Sequence, residues 1–510
     1  MKTTKKMAKK LLPVMFTLVM AITLFTGILE QDMSVVQAAT LNNPRIDRKG
    51  VMTWDCVYFG NYPQSDATGN TKEPIKWRVL SVDGDDVFLV ADTNLDVQRY
   101  NATDKAVTWE TCTMRSWLNG YGSSSNACGI DYTSDNFINR AFTASEQSAI
   151  KTVTVVTAGN PIGKATGGKD THDKLFLLSF EEVTNPDYGF SINYLEDDNA
   201  RLRKNTAYVA AGGAIGSNNM KSKGIDDSWL LRTPGYYGEA AGEPSKCVIS
   251  MEYCGHIPYM GTDVNREDGV CPALHLSLSS SEFWSYAGTV SSDGSSTEGE
   301  KQPEEQKNLM KGDFVADPVS QAVYKVTQLD SHNKTVEYIA PKSKKTNIVI
   351  PDKITIDGVG YKVTSIAAKA FENNIWVTKV TIGKNVKTIG DGAFSFPLFD
   401  EEKTSKLKTV SMRANVTTIN DRAFYGCDKL TKIVIPAKVN RIGKKAFYGC
   451  SKLKNITIKT RKLTKKNVGK YAFSFTYSKV TIKVPGSKLN SYKKLLRARG
   501  IRSTKAKIKK

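Results

Sequence analysis

The 510-residue chain is short of histidine, the common metal ligand and proton carrier near neutral pH. It has four histidines, His172, His256, His275 and His332, and no Cys-x-x-Cys or His-x-x-x-His spacing. Zinc sites are built from such paired ligands. Cys247, Cys254, His256, Cys271 and His275 are suitable residue types at unsuitable spacing, and disulfides or buried thiols fit them better. Asp83, Asp85 and Asp86, and the loop Glu196–Asn199, lack the alternating ligand order of a calcium loop. No metal and no cofactor is therefore expected.

Acidic residues stop at Asp428: from Lys429 to the end there is no Asp or Glu. The net charge of +21 is uneven, with roughly +30 on residues 311–510 and about −12 on the mature part before them. Such a block meets something anionic or stays solvated as a lysine-rich surface. Long apolar runs are missing beyond Leu11–Leu29. Five lysines precede that run and Val36-Gln37-Ala38 follows it, the layout of a cleaved signal peptide over residues 1–38. The expected location is secreted, with no transmembrane span after cleavage. No apolar tail is present to carry a sorting or lipid-anchor signal, so any wall attachment is expected to be non-covalent. Secretion makes nucleic acid a poor partner.

What the chain does have is a repeat. Ile366-(x4)-Phe371, Ile389-(x4)-Phe394, Ile419-(x4)-Phe424, Ile442-(x4)-Phe447 and Val468-(x4)-Phe473 share one pattern, with Ala before each Phe. The Phe positions are about 23, 30, 23 and 26 residues apart, near the roughly 20–29-residue period of leucine-rich repeats. Short β-type runs follow at Val380–Ile382, Val410–Met412, Ile433–Ile435, Ile456–Ile458 and Val480–Ile482. One unit cannot bury its own apolar face, so neighbours must stack. Cys450 repeats Cys427 one unit later, as small core residues would.

The segment Ile442-Gly-Lys-Lys-Ala-Phe-Tyr-Gly-Cys450 resembles BspA-type bacterial leucine-rich repeats. The resemblance covers about 150 residues and implies an extracellular, partner-binding solenoid, without naming the ligand. Residues 310–365 read as its N-terminal cap, 366–486 as the repeats, and 487–510 as a C-terminal cap helix (Ser487 to Arg499) with a mobile basic tail.

Residues 51–288 differ in composition and hold six of the seven tryptophans. Their strands are short, and Asp83-Gly84 is a hairpin signal between Pro74–Leu80 and Val87–Ala91. Trp109 to Leu118 reads as one helix, and Thr143 with Glu146 as a capping box. Phe59-Gly-Asn-Tyr-Pro-Gln64, Thr108-Trp109-Glu110, Arg115-Ser-Trp-Leu-Asn119, Trp229-Leu-Leu-Arg232 and Gly269-Val-Cys-Pro-Ala-Leu274 resemble an uncharacterised secreted bacterial domain. That domain is similar to the C-type-lectin-like fold of the formylglycine-generating, sulfatase-modifying enzymes. The implied fold is mixed α+β, so the whole chain reads as α+β: a lectin-like domain followed by a leucine-rich-repeat solenoid. Residues 289–309, rich in Ser, Gly and Glu, read as a disordered linker between independently moving modules. The Glu-Pro-Asn and Trp-Asn-Asp tripeptides of sugar-binding C-type lectins are missing.

The solenoid strand face is the first candidate site. Residues flanking each inward pair project outward: Lys379, Thr381, Arg413, Lys432, Thr457, Lys459, Lys479 and Lys483. A column holding Arg413, Lys459 and Lys483 would suit a linear polyanion: an anionic cell-wall polymer, an acidic glycan or an acidic host protein. The loop near Phe396–Phe399 and Asp400–Glu402 reads as a lip beside it. In the first domain, Trp229, Tyr236, Tyr237 and Tyr253 form a weaker candidate ligand surface, although Trp77, Trp109, Trp117 and Trp229 sit among apolar residues and read more readily as core. The expected function is a secreted or cell-surface binding or adhesion protein. The alternative is a cysteine-dependent enzyme of the sulfatase-modifying fold, tethered by the repeats, with Cys247, Cys254 and Cys271 as its candidate thiols.

Overall fold

The computed structural model describes residues 41–213, 227–236, 242–258, 260–298, 309–317, 319–330, 333–398, 404–413 and 415–510. The expected signal peptide, Tyr237 and the expected lip at Phe399–Glu402 lie outside these residues. No helix of the described residues is long and apolar enough to cross a membrane.

The first domain is built on an antiparallel sheet in the order Leu175–Leu177, Pro272–Ser277, Asp86–Ala91, Glu73–Asp83, Met52–Tyr62, Trp284–Ser291, Ser296–Thr297. The Asp83-Gly84 hairpin forms: Asp83 pairs with Asp86, and Gly84 takes the left-handed conformation such a turn needs (φ 59°). A second, mixed sheet carries Trp229–Pro234 between Cys247–Met251 and Glu267–Val270. Trp54, Trp77, Trp109 and Trp229 are fully buried in one core.

Three local readings change. Trp109 to Leu118 is not one helix. A 3-10 turn, Trp109–Thr111, is followed by an α-helix, Thr113–Asn119, because the extended Cys112 intervenes as N-cap and its thiol accepts from the Arg115 amide. The capping box forms with Thr143 and Glu146 at the start of Ala144–Ala149. The stretch expected as linker is partly sheet, since Ser296–Thr297 pairs with Thr289 and Val290. The modules also touch. Phe396 and Ile375 of the repeat region are buried with the first-domain core. The Lys344 ammonium lies over Trp376 and donates to the Glu181 carbonyl.

The repeat region winds into coils that share two sheets. One contains seven parallel strands: Asn347–Ile350, Lys379–Ile382, Thr409–Met412, Lys432–Ile435, Asn455–Ile458, Thr481–Lys483 and Lys507–Lys509. The other continues the hairpin Ala322–Asp330/Asn333–Pro341 through Val359–Ile366 to Arg441–Ile442. Between the sheets the chain turns tightly around each Phe. Tyr338, Phe371, Phe394, Phe424, Phe447 and Phe473 stack with centroids 4.8–5.5 Å apart and planes within 11°. The backbone holds the same register, as the Phe371, Phe394, Phe424 and Phe447 amides each donate to the Ala carbonyl of the next coil. Cys427 and Cys450 are buried, and their thiols donate to the Phe394 and Phe424 carbonyls of the coil before. Gly443 must be glycine: a Cβ there would stand 2.3 Å from the Asp421 amide of the preceding coil.

The C-terminal cap differs from expectation at both ends. Its helix is Leu489–Ala498 with Lys488, not Ser487, at the N-cap position. The final residues are no free tail. Ile501 and Ala506 are buried, and Lys507–Lys509 adds the last parallel strand.

Candidate functional site: the strand face of the solenoid

The seven-stranded sheet buries alternate residues and exposes the others, as the period of a strand requires. Asn347, Lys379, Thr409, Lys432, Asn455, Thr481 and Lys507 lie in register as one outward column. Six steps of roughly 4.8 Å make it about 29 Å long. Lys379 and Lys432 are exposed on it, with neutral Thr409 between them. Two residues further along the strands, Val349, Thr381 and Ser411 align at one end, and Thr457, Lys483 and Lys509 at the other. Arg413 and Lys459 are exposed just past their strands.

The column expected to hold Arg413, Lys459 and Lys483 does not form. The last coil was read two residues out of phase: its inward pair is Ile482 and Val484, not Val480 and Ile482. Lys483 therefore pairs with Thr457, and Lys479 falls before the strand. Val480 is buried just before the strand, although it aligns with the exposed Lys454 of the coil before. The cause is Val480: Ile482 and Val484 lie nine and eleven residues after Phe473, as Ile456 and Ile458 lie after Phe447, but Val480 adds an apolar residue in the same alternation two places earlier.

Charge along the face is graded. Near the first coils Asp352 stands beside Lys384 at 3.2 Å and Arg413 at 4.0 Å. The Lys384 amide, and then the two cations, hold its carboxyl below the ordinary value. Arg413 thus shares its charge with an acid. From Lys429 onward 26 lysines and arginines are folded with no acid among them. Lys432, Lys459, Lys483, Lys507 and Lys509 are exposed there. Two of these, Lys507 and Lys509, were missed because Arg502 to Lys510 reads as a tail; the alternation Lys-Ile-Lys was the available signal.

The weaker first-domain surface does not assemble. Trp229 is fully buried, donates through Nε1 to the Arg201 carbonyl at 3.1 Å, and lies under the Arg203 guanidinium. Tyr236 is half-buried against Gly163, while Tyr253 is exposed. The Cys and His residues are also dispersed. His275 stacks on Phe88 and bonds Asp86, His256 bonds Glu252, and Cys271 donates to the Ala91 carbonyl. Among the described residues no group of three or more His, Cys, Asp or Glu is placed to hold a metal. Burial pushes the Cys56 and Cys112 thiols up to about 12 and raises those of Cys254 and Cys271, away from the thiolate a nucleophile needs.

Residues 342–399 and 364–495 match the BspA type leucine rich repeat region, in six copies. The C-terminal unit is thus similar to BspA-type leucine-rich repeat regions. Residues 84–278 match a domain of unknown function, DUF6273. Solved structures similar to the BspA-type unit include the T. pallidum leucine rich repeat protein TpLRR, at 21% identity and TM-score 0.28, over 38% of this chain and 86% of that one. A leucine-rich repeat protein from Bacteroides capillosus matches at 28% identity and TM-score 0.24, over 28% of this chain and 97% of that one. The pneumococcal vaccine antigen PcpA matches at 21% identity and TM-score 0.30, over 39% of this chain and half of that one. No curated protein matches the chain.

Proposed function

We propose that the chain is a secreted or cell-surface binding protein whose repeat solenoid holds an anionic polymer, by preference a cell-wall polymer or acidic glycan. The observation that carries this is the acid-free run from Lys429 to Lys510, folded into stacked coils with exposed lysines on the strand face. Regular stacking sets Lys483 beside Lys509 on adjacent strands and Lys432 three strands from Lys507 in one column, roughly 5 and 14 Å, spacings that a polymer with repeated charges can meet at several points. The first domain, lectin-like by resemblance, would face a second ligand.

The test is retention of the full chain on purified cell wall across a salt series. Capture by charge falls steeply as the screening length shrinks from about 10 Å at 0.1 M to about 3 Å at 1 M. Retention that is equal at both ends of that series overturns the reading. Lys432→Gln with Lys459→Gln should weaken retention at low salt and leave the fold intact, because both side chains are exposed.

A further inference from the structure

The last coil departs from its neighbours at two positions. Two residues before each ladder Phe the backbone is left-handed, at Lys369, Gly392, Arg422 and Lys445; in the last coil that residue is Tyr471 (φ 60°). Two residues after the Phe it is left-handed again, at Asn373, Gly426 and Gly449; in the last coil that residue is Phe475 (φ 53°). Bulky side chains seldom adopt this conformation, and glycine does so freely. Burial does not offset the strain, since Phe475 is 69% exposed and Tyr471 45%. Strained residues of this kind gather at ligand sites.

Both rings border a cavity of about 530 Å³ on the flank between the Phe turn and the strands, shared with Tyr448, Tyr477, Lys445 and Arg502. Tyr425 and Tyr448 stack at 5.3 Å, and Phe475 continues the row 4.9 Å from Tyr448 at 57°. The Lys445 ammonium lies 5.2 Å from the Tyr448 ring, and Lys454 lies 5.6 Å from Tyr477. No acid lines the cavity. Its volume falls within the roughly 300–1,000 Å³ of small-ligand sites.

We propose that this cavity binds an acid-bearing sugar ring of an anionic glycan, the rings taking the apolar face of the pyranose and Lys445 and Arg502 taking its carboxylate. Exposed aromatic faces supply apolar contact without enclosing the ligand. Ser478 and Ser503 also line the cavity and offer hydroxyls to those of a sugar, which an apolar peptide side chain would leave unused. The site deepens the reading of the solenoid as a holder of anionic polymers and rests on it, but it lies apart from the strand-face lysines.

The test uses the full chain, titrated calorimetrically with a galacturonic acid trisaccharide, its methyl ester and inorganic phosphate. Phe475→Gly restores the residue type of the two preceding coils, so it should fold at least as well as the parent. It should weaken trisaccharide binding about tenfold or more. The methyl ester, which keeps the rings and loses the charge, should bind more weakly than the acid, and phosphate should not compete at equal concentration. Lys432→Gln with Lys459→Gln should leave trisaccharide affinity unchanged while reducing wall retention. Equal binding by parent and Phe475→Gly overturns the site, as does equal binding of acid and ester or full competition by phosphate. Wall retention that survives high salt is a different failure, and belongs to the strand face alone.

Discussion

Stacking of the Phe ladder predicts an energetic coupling that falls off with coil number. Phe424 is fully buried between Phe394 at 5.1 Å and Phe447 at 5.2 Å, with planes within 7°. Truncation to Ala removes a large buried ring and should cost about 3–5 kcal/mol. Phe424→Leu keeps most of the buried area, so its cost isolates the two ring contacts, at about 0.5–1.5 kcal/mol each. Phe473 touches one ladder ring, Phe447 at 5.5 Å, and Phe473→Leu should cost about half as much. The sharper test is a pair of double-mutant cycles. Phe424→Leu and Phe447→Leu remove a shared contact and should couple by about 0.5–1.5 kcal/mol. Phe371→Leu and Phe447→Leu have two rings between them, some three coil spacings or roughly 14 Å, and should add. The assay is urea unfolding of the full chain, read by hydrogen exchange on peptides of coils 366–486, so that first-domain unfolding is scored separately. Equal coupling for adjacent and distant pairs would refute the claim that coils stabilise one another through nearest neighbours.

Two further outcomes follow from the first domain. Trp229→Ala should destabilise that domain by about 3–5 kcal/mol, seen in its thermal transition, because the ring is fully buried; a cost under about 1 kcal/mol would restore Trp229 as a surface residue. Asp85 accepts from the Ser277 hydroxyl at 2.6 Å and the Ser279 amide at 2.7 Å, and these hold its carboxyl down at about 2. Its contribution to stability is therefore complete above the ordinary value near 4 and is lost as pH falls from there towards 2. Unfolding of the parent and Asp85→Asn should differ most above pH 4 and converge near pH 2, and a constant difference across that range would contradict the assignment.

The repeat was legible because one residue type marks each coil at a fixed place, and stacked coils force that place to recur. Phase within a coil was legible where a single apolar pair offers itself for the strand. The step from Phe424 to Phe447 keeps the pattern of the strand that follows, and Ile433, Ile435, Ile456 and Ile458 pair as read. The next strand keeps the same distance from its Phe, but Val480, an apolar residue two before Ile482, imitates an inward strand position. A period of two cannot tell which pair of alternating residues is the pair in the sheet. Local signals in the first domain fared by kind. The Asp83-Gly84 turn and the Thr143 box depend on neighbours in sequence and could be read there. The apolar run around Trp229 favours a core position, which the structure bears out, whereas its partners Arg201 and Arg203 reach it from another loop and leave no local signal. The distal cavity left a signal of a third kind: Phe475 stands where Gly426 and Gly449 stand, a break visible once the coils are aligned.

Absence of acid from the last coils is not imposed by the coil itself. Three residues before the last four ladder Phe residues, the array runs Asp391, Asp421, Lys444, Lys470. At the first two the carboxylate is structurally useful: Asp391 Oδ1 accepts the Asp421 amide at 3.0 Å, and Asp421 Oδ1 accepts the Lys444 amide at 2.8 Å. An Asp at position 444 would meet the Lys470 amide in the same way, so the fold gives up a coil-to-coil bond to place Lys there. Lys444→Asp with Lys470→Asp should accordingly be neutral or mildly stabilising in urea unfolding, because both side chains are exposed and one acceptor is gained. The same pair of changes removes four units of positive charge from the distal coils and should weaken retention on cell wall at low salt, with the difference fading as salt rises. If stability is kept and retention is also unchanged, the lysines of these coils are only a solvated surface, and capture of an anionic polymer by the solenoid falls with them.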